Sequence, residues 1–207
     1  WTFYSSINHQ QGTVEAQLTR PDGKILTYTG GLGFGNWRKS STDLTGELSS
    51  QFDISGNIIG WQFKTLDDQV EDYDASGRLT RVHQRSGISH DYIYEADEIL
   101  IEHSLGGAIR YQLDASGVIN GFTDPLGQRY SYSYSSEGML SSVSYPGNTG
   151  HKTYHYENNS YPKLLTGISD ANGDRYASWT YDLAGRATSS EHYNGAEKTT
   201  FNYSNLN

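Results

Sequence analysis

Histidines and acidic residues are the side chains of this sequence that could do chemistry, so their spacing comes first. His151 and His155 lie four residues apart, which on a helix would turn two imidazoles towards one metal ion. On a strand the same spacing separates them by about 13 Å, so we interpret them as two solvent-facing strand histidines. The segment 170–174 shares the first residues of a calcium-binding loop, but its glycine comes too early and Tyr181 stands where the closing Glu belongs. No metal site is predicted.

Nucleophiles and phosphate-binding loops are also missing from the sequence. None of the 207 residues is Cys, which excludes a thiol nucleophile, a disulfide framework and a cysteine-ligated zinc site. No Gly-x-Ser-x-Gly motif occurs. The glycine-rich segment 30–35 lacks the Gly-Lys-Ser/Thr ending of a phosphate loop, so we interpret it as an irregular connection. The acid pairs Asp67-Asp68 and Glu71-Asp72 are expected at a solvated edge. We therefore predict no catalytic residue and no cofactor.

Composition narrows the class of protein. Fifteen Lys and Arg against 24 Asp and Glu leave a net charge of −9 with no basic cluster, which argues against a nucleic-acid partner. No run approaches the ~18 apolar residues of a membrane span. Apolar residues make up 34% and the mean hydropathy is −0.70, yet aromatic residues reach 13%, too many for a disordered chain. Any core would have to be built largely from the 17 tyrosines.

A repeat of 19 to 25 residues organises the chain. Its frame is an aromatic residue or Leu, then a polar residue, two small or polar residues, often Gly, and an apolar residue. The frame begins at positions 4, 28, 52, 73, 94, 113, 134, 156, 181 and 203. The residues assigned to this structural motif and its turns are Phe52, Asp53, Gly56, Tyr73, Asp74, Gly77, Arg78, Asp114, Gly117, Tyr134, Gly138, Tyr156, Gly173, Tyr181, Asp182, Gly185 and Arg186.

The motif residues are predicted to have structural roles. Each Asp is expected to accept a backbone N–H two residues on and so to close a turn, while the Gly adopts a left-handed conformation. The Arg of the two clearest copies is expected to stack on a neighbouring Tyr. Ion binding or catalysis by Asp74 and Asp182 is the alternative. A second turn signal lies between frames, as in Asp22-Gly23, Asn172-Gly173 and Asn194-Gly195, and such dipeptides are typical of two-residue hairpins.

The segments between the turns alternate with a period of two. Tyr130, Tyr132 and Tyr134 point one way, whereas Ser131 and Ser133 point the other, and no segment sustains a period of 3.6. The predicted fold is all-β, a repetitive β-hairpin meander of roughly 18 strands. A strip of that length must coil into a curve. The tyrosine-rich face is expected to be the buried face.

The residues quoted above resemble a known family. Tyr-Asp-x-x-Gly-Arg at a spacing of about 21 residues resembles the YD repeat of bacterial Rhs polymorphic toxins, which are related to shell components of insecticidal toxin complexes and to teneurins. The segments that carry the resemblance best are 154–157, 164–168, 170–173, 181–186 and 189–192. On this interpretation residues 1–207 are a single array of about nine repeats, degenerate over 1–50 and clearest over 73–203.

The resemblance implies part of a hollow β-shell that encloses a C-terminal toxin until delivery. The implied partners are the remainder of the shell and its cargo, and the implied location is secreted or cell-surface, through a bacterial export system. The chain is interpreted as a piece of a longer one, since it starts at Trp1 and is too short for a closed shell. The segment 124–127, Asp-Pro-Leu-Gly, resembles the Rhs-core ending but runs on into a strand, so no self-cleavage is expected there.

Two other functions are weighed against the shell. The first is a carbohydrate- or cell-surface-binding module that uses exposed aromatic rings, with Trp1, Trp37, Trp61 and Trp179 as candidates. The second is an enzyme, which the absence of any nucleophile-and-base motif disfavours. Exposed strand edges at the ends of such a strip would also pair with one another, which predicts dimers or higher oligomers.

Overall fold

The computed structural model describes residues 6–9, 15–30, 37–40 and 45–203. These residues form 19 antiparallel strands and two 3-10 turns, Pro146–Asn148 and Tyr193–Gly195, so the all-β prediction is confirmed. The strands are β1 Ser6–His9, β2 Glu15–Thr19, β3 Ile25–Thr29, β4 Arg38–Lys39, β5 Glu47–Phe52, β6 Ile58–Lys64, β7 Val70–Asp74, β8 Leu79–His83, β9 Ser89–Tyr94, β10 Glu98–His103, β11 Ala108–Leu113, β12 Ile119–Thr123, β13 Arg129–Tyr134, β14 Leu140–Ser144, β15 His151–His155, β16 Gly167–Ser169, β17 Arg175–Tyr181, β18 Ala187–His192 and β19 Thr199–Thr200.

The chain divides into two compact units, which are described separately. The first comprises Trp1–Glu95 and Ile99–Ala108, and the second Ala96–Glu98 and Ile109–Asn207. In the first unit β1 to β4 form one sheet in chain order, and β5 to β10 follow one another in a second sheet. In the second unit β11 to β19 follow one another in chain order. Within each sheet, neighbours in sequence are neighbours in space, as the meander prediction requires.

One turn geometry joins most successive strands. In the turn that starts at Asp74, the Asp74 N–H donates to the Arg78 carbonyl and the Gly77 N–H to the Asp74 carbonyl, each at 2.9 Å. Gly77 has φ +83°, which only glycine adopts without cost. The same five-residue pattern starts at residues 20, 53, 65, 74, 84, 103, 114, 124, 135, 170 and 182.

The prediction of two-residue hairpins is wrong for two of the three signals named above. Asp22-Gly23 and Asn172-Gly173 lie inside five-residue turns, because a turn closed by one left-handed glycine also matches the twist of the strands. Of these three signals, only Asn194-Gly195 has positive φ at both residues, +56° and +76°, as the two-residue form requires.

A register shift recurs just after the motif turn. Between β7 and β8, Tyr73 lies opposite Leu79 and Asp72 opposite Arg81, which leaves one residue of β8 unpaired. The hairpins β5–β6, β11–β12, β13–β14 and β17–β18 shift at the same place. Such a β-bulge bends its strand and increases the local twist. Each of these repeats therefore bends its sheet locally at one fixed position.

The core of the first unit lies between its two sheets. Leu18 and Tyr28 from the small sheet are fully buried, and Trp61 and Phe63 from β6 are each 2% exposed. Burying one such side chain stabilises a fold by about 1.5–3 kcal/mol. The residues of this core are Ile7, Ala16, Leu18, Leu26, Tyr28, Trp37, Leu48, Trp61, Phe63, Tyr73 and Leu79.

The second unit has no comparable core. Among its described residues the buried ones are all small, namely Gly121, Thr166, Gly167, Ser169, Ala177 and Ser189. The expectation that the tyrosine face is buried holds for Tyr28 and Tyr73 of the first unit. It is wrong for the second unit, where Tyr130 and Tyr132 are half-buried and Tyr134 is 38% exposed. The physical reason is that no second layer covers the described strands of this unit.

Tyr28 makes the stability of the first unit sensitive to alkaline pH. Burial raises the pKa of its hydroxyl to about 12, from an ordinary value near 10. Because the folded-state pKa lies above the unfolded value, the contribution of the neutral Tyr28 hydroxyl to stability is complete below pH ~10 and is lost as pH rises through ~12. We expect the wild-type free energy of unfolding to fall by on the order of 2 kcal/mol more than that of Tyr28→Phe across this window. Denaturant titrations at several pH values measure the free energy of unfolding of both proteins. Tyr193→Phe is the control, since Tyr193 is 58% exposed; equal pH slopes for wild type and Tyr28→Phe would contradict the assignment.

Candidate functional site

The carboxylate of the motif Asp fastens its own turn. Asp74 Oδ1 accepts the backbone N–H groups of Ser76 and Arg78, both at 2.9 Å, and Oδ2 accepts Arg78 Nε at 2.8 Å. Asp182 receives the equivalent bonds from Ala184 and Arg186. Burial acts to raise the pKa of Asp74, but the hydrogen bonds from Ser76 and Arg78 outweigh it and the pKa falls below its usual range. For Asp182, the bond from the Arg186 N–H leads in lowering the pKa.

The same arrangement recurs along both units. The carboxylates of Asp53, Asp114, Asp124 and Asp170 each accept the N–H groups two and four residues on. At Ser135 a hydroxyl oxygen takes the place of the carboxylate. These acceptors point into their own turns. Over the part of the chain that the structure describes, no three His, Cys, Asp or Glu side chains converge as metal ligands would.

A tyrosine latch, which the sequence did not reveal, ties several repeats to the preceding one. Tyr94, Tyr134, Tyr156 and Tyr203 donate their hydroxyls to the carbonyls of Leu79, Ile119, Leu140 and Ala187, at 2.6 to 3.1 Å. Each carbonyl belongs to the first residue of the strand that leaves the preceding motif turn. Tyr181 binds the Leu165 carbonyl in the same way, at 2.6 Å. The latch explains why the frame residue is so often Tyr.

The motif Arg lies against the ring of the latch tyrosine. The Arg78 guanidinium sits 5.0 Å from the centre of the Tyr94 ring, and that of Arg186 sits 4.4 Å from the Tyr203 ring. Both guanidinium groups also bind their turn carboxylates. Asp, Arg and Tyr therefore form one chain of contacts from a turn to the next repeat.

Removing one latch hydroxyl is expected to loosen one repeat. Tyr134→Phe deletes the 2.6 Å bond to the Ile119 carbonyl and keeps the ring. We expect a loss of about 1 kcal/mol, the usual net contribution of one hydrogen bond, with faster amide exchange in the turn 114–118. Hydrogen-exchange mass spectrometry measures the amide exchange of this turn. Tyr130→Phe on the same strand is the control, and equal exchange in both variants would refute the latch.

A buried ion pair corrects one expectation from the sequence. Glu71, expected at a solvated edge, is 3% exposed. It binds Arg20 through two bonds, of 2.5 and 2.9 Å, and accepts the Tyr73 hydroxyl at 2.6 Å. Arg20 also lies 5.0 Å from the centre of the Phe63 ring. Its partner Arg20 is 51 residues away in sequence and lies in the turn between β2 and β3, so no local pattern could predict the pair.

One cluster of the second unit has the composition of a hydrolytic triad. Ser169 Oγ lies 2.8 Å from His155 Nε2, and His155 Nδ1 lies 3.8 Å from a Glu157 oxygen. Ser169 is only 6% exposed, at the end of β16. The Glu157 carboxylate binds both terminal nitrogens of Arg175, at 3.0 and 2.8 Å, rather than the imidazole. The Ser169 hydroxyl is therefore nearly buried, and the Glu157 carboxylate is bound to Arg175. The contacts of this cluster connect β15, β16 and β17.

The remaining candidates from the sequence are dispersed. His151 and His155 lie at opposite ends of β15; His151 is exposed as predicted, whereas His155 is half-buried because it joins the cluster just described. Trp37 and Trp61 are buried, which corrects their choice as exposed sugar-stacking rings, and Trp179 is half-buried in β17. Trp1 and positions 31–35 lie outside the described residues. In the described ranges, no helix is both long and apolar enough to cross a membrane.

Comparison with known proteins gives one family and several partial likenesses. The family model for the teneurin YD-shell matches residues 37–207. A curated protein, the tRNA3(Ser)-specific nuclease WapA of Bacillus spizizenii, is 27% identical over 211 residues. The match covers 89% of this chain but 8% of WapA.

Solved structures show weaker likenesses. The Tc holotoxin pore of Photorhabdus luminescens aligns at 13% identity with a TM-score of 0.39, over 93% of this chain and 15% of that chain. A crystal structure of TcdB2-TccC3-Cdc42 aligns at 12% identity with a TM-score of 0.36, over 89% and 15%. The chain thus spans a small part of each of these proteins.

Proposed function

The chain belongs to the teneurin YD-shell family, and from this premise we propose that it is a non-catalytic wall segment of an Rhs-repeat shell that encapsulates and helps deliver a C-terminal toxin or effector. The observation that carries the proposal is the repeated unit of fastened turn, β-bulge and tyrosine latch. Successive repeats bond through backbone groups, and several of them through a tyrosine hydroxyl as well, so a wall would extend by adding repeats.

The partners follow from the same premise. The remainder of the shell would continue the wall at its strand edges, one of which is β19 in the order of described strands. The cargo would be the effector within, and the protein would be secreted or cell-surface through a bacterial export system. The single array over residues 1–207 stays a prediction, as do the structural roles assigned to the motif residues.

Protease protection in the natural protein that contains this sequence tests the proposal. We expect the effector segment to resist proteolysis while the YD repeats are folded, and to be cleaved once mild denaturant opens them. The isolated effector segment, digested in parallel, gives the unprotected rate. Cleavage of the effector within the intact protein at that unprotected rate would contradict encapsulation.

The carbohydrate-binding alternative relied on exposed tryptophan rings, and the structure leaves few of them. Trp37 and Trp61 are buried, so Trp179 is the one described tryptophan within reach of a sugar. We expect no hits on a glycan array and no change in tryptophan fluorescence with sugars. A saturable fluorescence change that Trp179→Phe abolishes would restore this alternative.

A further inference from the structure

One face of the second unit is lined by aromatic rings. Phe122 lies opposite Tyr130, Tyr132 opposite Val143, and Tyr154 opposite Ile168, so these side chains share one side of the sheet. The rings contact one another across strands, with centres 5.4 Å apart for Tyr111 and Phe122 and 5.6 Å for Phe122 and Tyr130. We call this the tyrosine face, defined by Tyr111, Phe122, Tyr130, Tyr132, Tyr154 and Trp179.

The tyrosine face is only half-buried, and this leaves the second unit short of stabilisation. Every one of its six side chains keeps contact with solvent. Alone, a sheet gains too little buried apolar area, and stable domains place a second layer on it. A layer on this face would supply the core that the described residues of this unit lack.

The first unit shows what covers an equivalent face. There the frame tyrosine Tyr73 shares a face with Trp61, directly opposite, and both are nearly fully buried. Their cover is the antiparallel sheet β1–β4 of the same chain, which contributes Leu18, Leu26 and Tyr28 to the core. The motif places Tyr134, on the same face as Tyr132 and Tyr130, at the position of Tyr73. The layer that suits such a face is therefore another antiparallel sheet of this kind of sequence.

Charge favours this face over the opposite one. Among the described strand residues on the tyrosine side, Lys152 is the one Lys, Arg, Asp or Glu, and its ammonium lies 5.6 Å from the centre of the Tyr176 ring. The opposite face carries Arg110, Arg129 and Glu191 among serines and threonines. Two copies that each carry a net charge of −9 repel, so they approach best through a face nearly free of charge.

We propose that the tyrosine face is an interaction surface for a second copy of this chain, with the two sheets packed face to face. Tyrosine suits a self-complementary contact, because its ring packs while its hydroxyl both donates and accepts hydrogen bonds. A two-fold axis would let each face serve as the cover of the other. This inference concerns the 207-residue chain in solution and does not depend on the shell role.

Analytical ultracentrifugation of the chain and two matched variants tests the proposal. Tyr132→Lys places a charge on the tyrosine face, whereas Ser133→Lys places the same charge on the opposite face of the same strand. We expect dimers for wild type and Ser133→Lys, and a dimer affinity at least about 100-fold weaker for Tyr132→Lys, since a buried unpaired charge is costly. A monomeric wild type at high concentration would overturn the proposal. So would equal dimerisation of the two variants, which would indicate pairing through strand edges.

A measurement on the unmodified chain guards against a variant that fails to fold. Hydroxyl-radical footprinting at concentrations below and above the dimer transition should show Tyr130, Tyr132, Tyr154 and Trp179 becoming protected together. Tyr193, which is 58% exposed and belongs to a turn, should not change. Unchanged oxidation of the tyrosine face across the transition would equally overturn the proposal.

Discussion

Gly77→Ala is expected to destabilise the first unit by about 4 kcal/mol, because three costs coincide at this position. A residue with a Cβ pays about 1–2 kcal/mol for the left-handed conformation, and Gly77 has φ +83°. An added Cβ would also lie 1.8 Å from the Ile7 carbonyl oxygen, so β1 would have to move away. That movement breaks the 2.8 Å bond from the Ile7 N–H to the Gly77 carbonyl and exposes Ile7, now 5% exposed.

Gly56→Ala is a closely matched control for this change. Gly56 has the same φ of +83° and the same place in an Asp-x-Ser-Gly turn, but nothing lies within 4 Å of an added Cβ. We expect it to cost about 1–2 kcal/mol, the conformational part alone. Chemical denaturation of both variants measures the difference, which reports the docking of β1 on the motif turn. Equal losses would show that β1 does not pack there.

Glu71→Ala is expected to cost about 3–5 kcal/mol, the range for breaking a buried ion pair by removing one partner. The variant leaves Arg20, with 20% of its side chain exposed, without the carboxylate that holds it between the sheets. The Tyr73 hydroxyl loses its acceptor as well. Removing both charges in the double variant Arg20→Met/Glu71→Met should cost much less than the single change, since no charge is then stranded.

Asp91→Ala provides the comparison for an exposed ion pair. Asp91 binds Arg81 across β8 and β9, and 30% and 47% of the two side chains are exposed. Such pairs contribute at most about 1 kcal/mol. Urea unfolding of wild type, Glu71→Ala, Arg20→Met/Glu71→Met and Asp91→Ala measures these differences in the free energy of unfolding. If Glu71→Ala and Asp91→Ala cost the same, the first pair is not buried between sheets in solution.

The repeat made the strands of this protein predictable. Alternation such as Tyr130-Ser131-Tyr132 reports which side of a strand each residue occupies, and Asp and Gly at fixed offsets report the turns. These signals are local, so they can be interpreted without knowledge of the tertiary structure. The left-handed glycines at 77 and 185 follow from the same local chemistry.

What the sequence concealed depends on contacts between distant residues. Glu71 lies in a polar stretch of sequence, and its burial is compensated by Arg20, which reaches it from the turn between β2 and β3. The tyrosine latch was missed because Tyr134 and the Ile119 carbonyl are 15 residues apart and the acceptor is a backbone group without a side-chain signature. Burial of the tyrosines failed as a prediction in the second unit because alternation shows that two faces differ, not that a second layer covers one of them.

A cryo-electron microscopy structure of the natural protein that contains this sequence tests the central claim most directly. We predict that the strands of residues 45–203 form part of a continuous β-wall around an enclosed space, with the five-residue turns at the strand ends and density for another segment inside. A structure in which these residues form a separate domain with no enclosed space, or line a site that holds a substrate, would contradict the shell role.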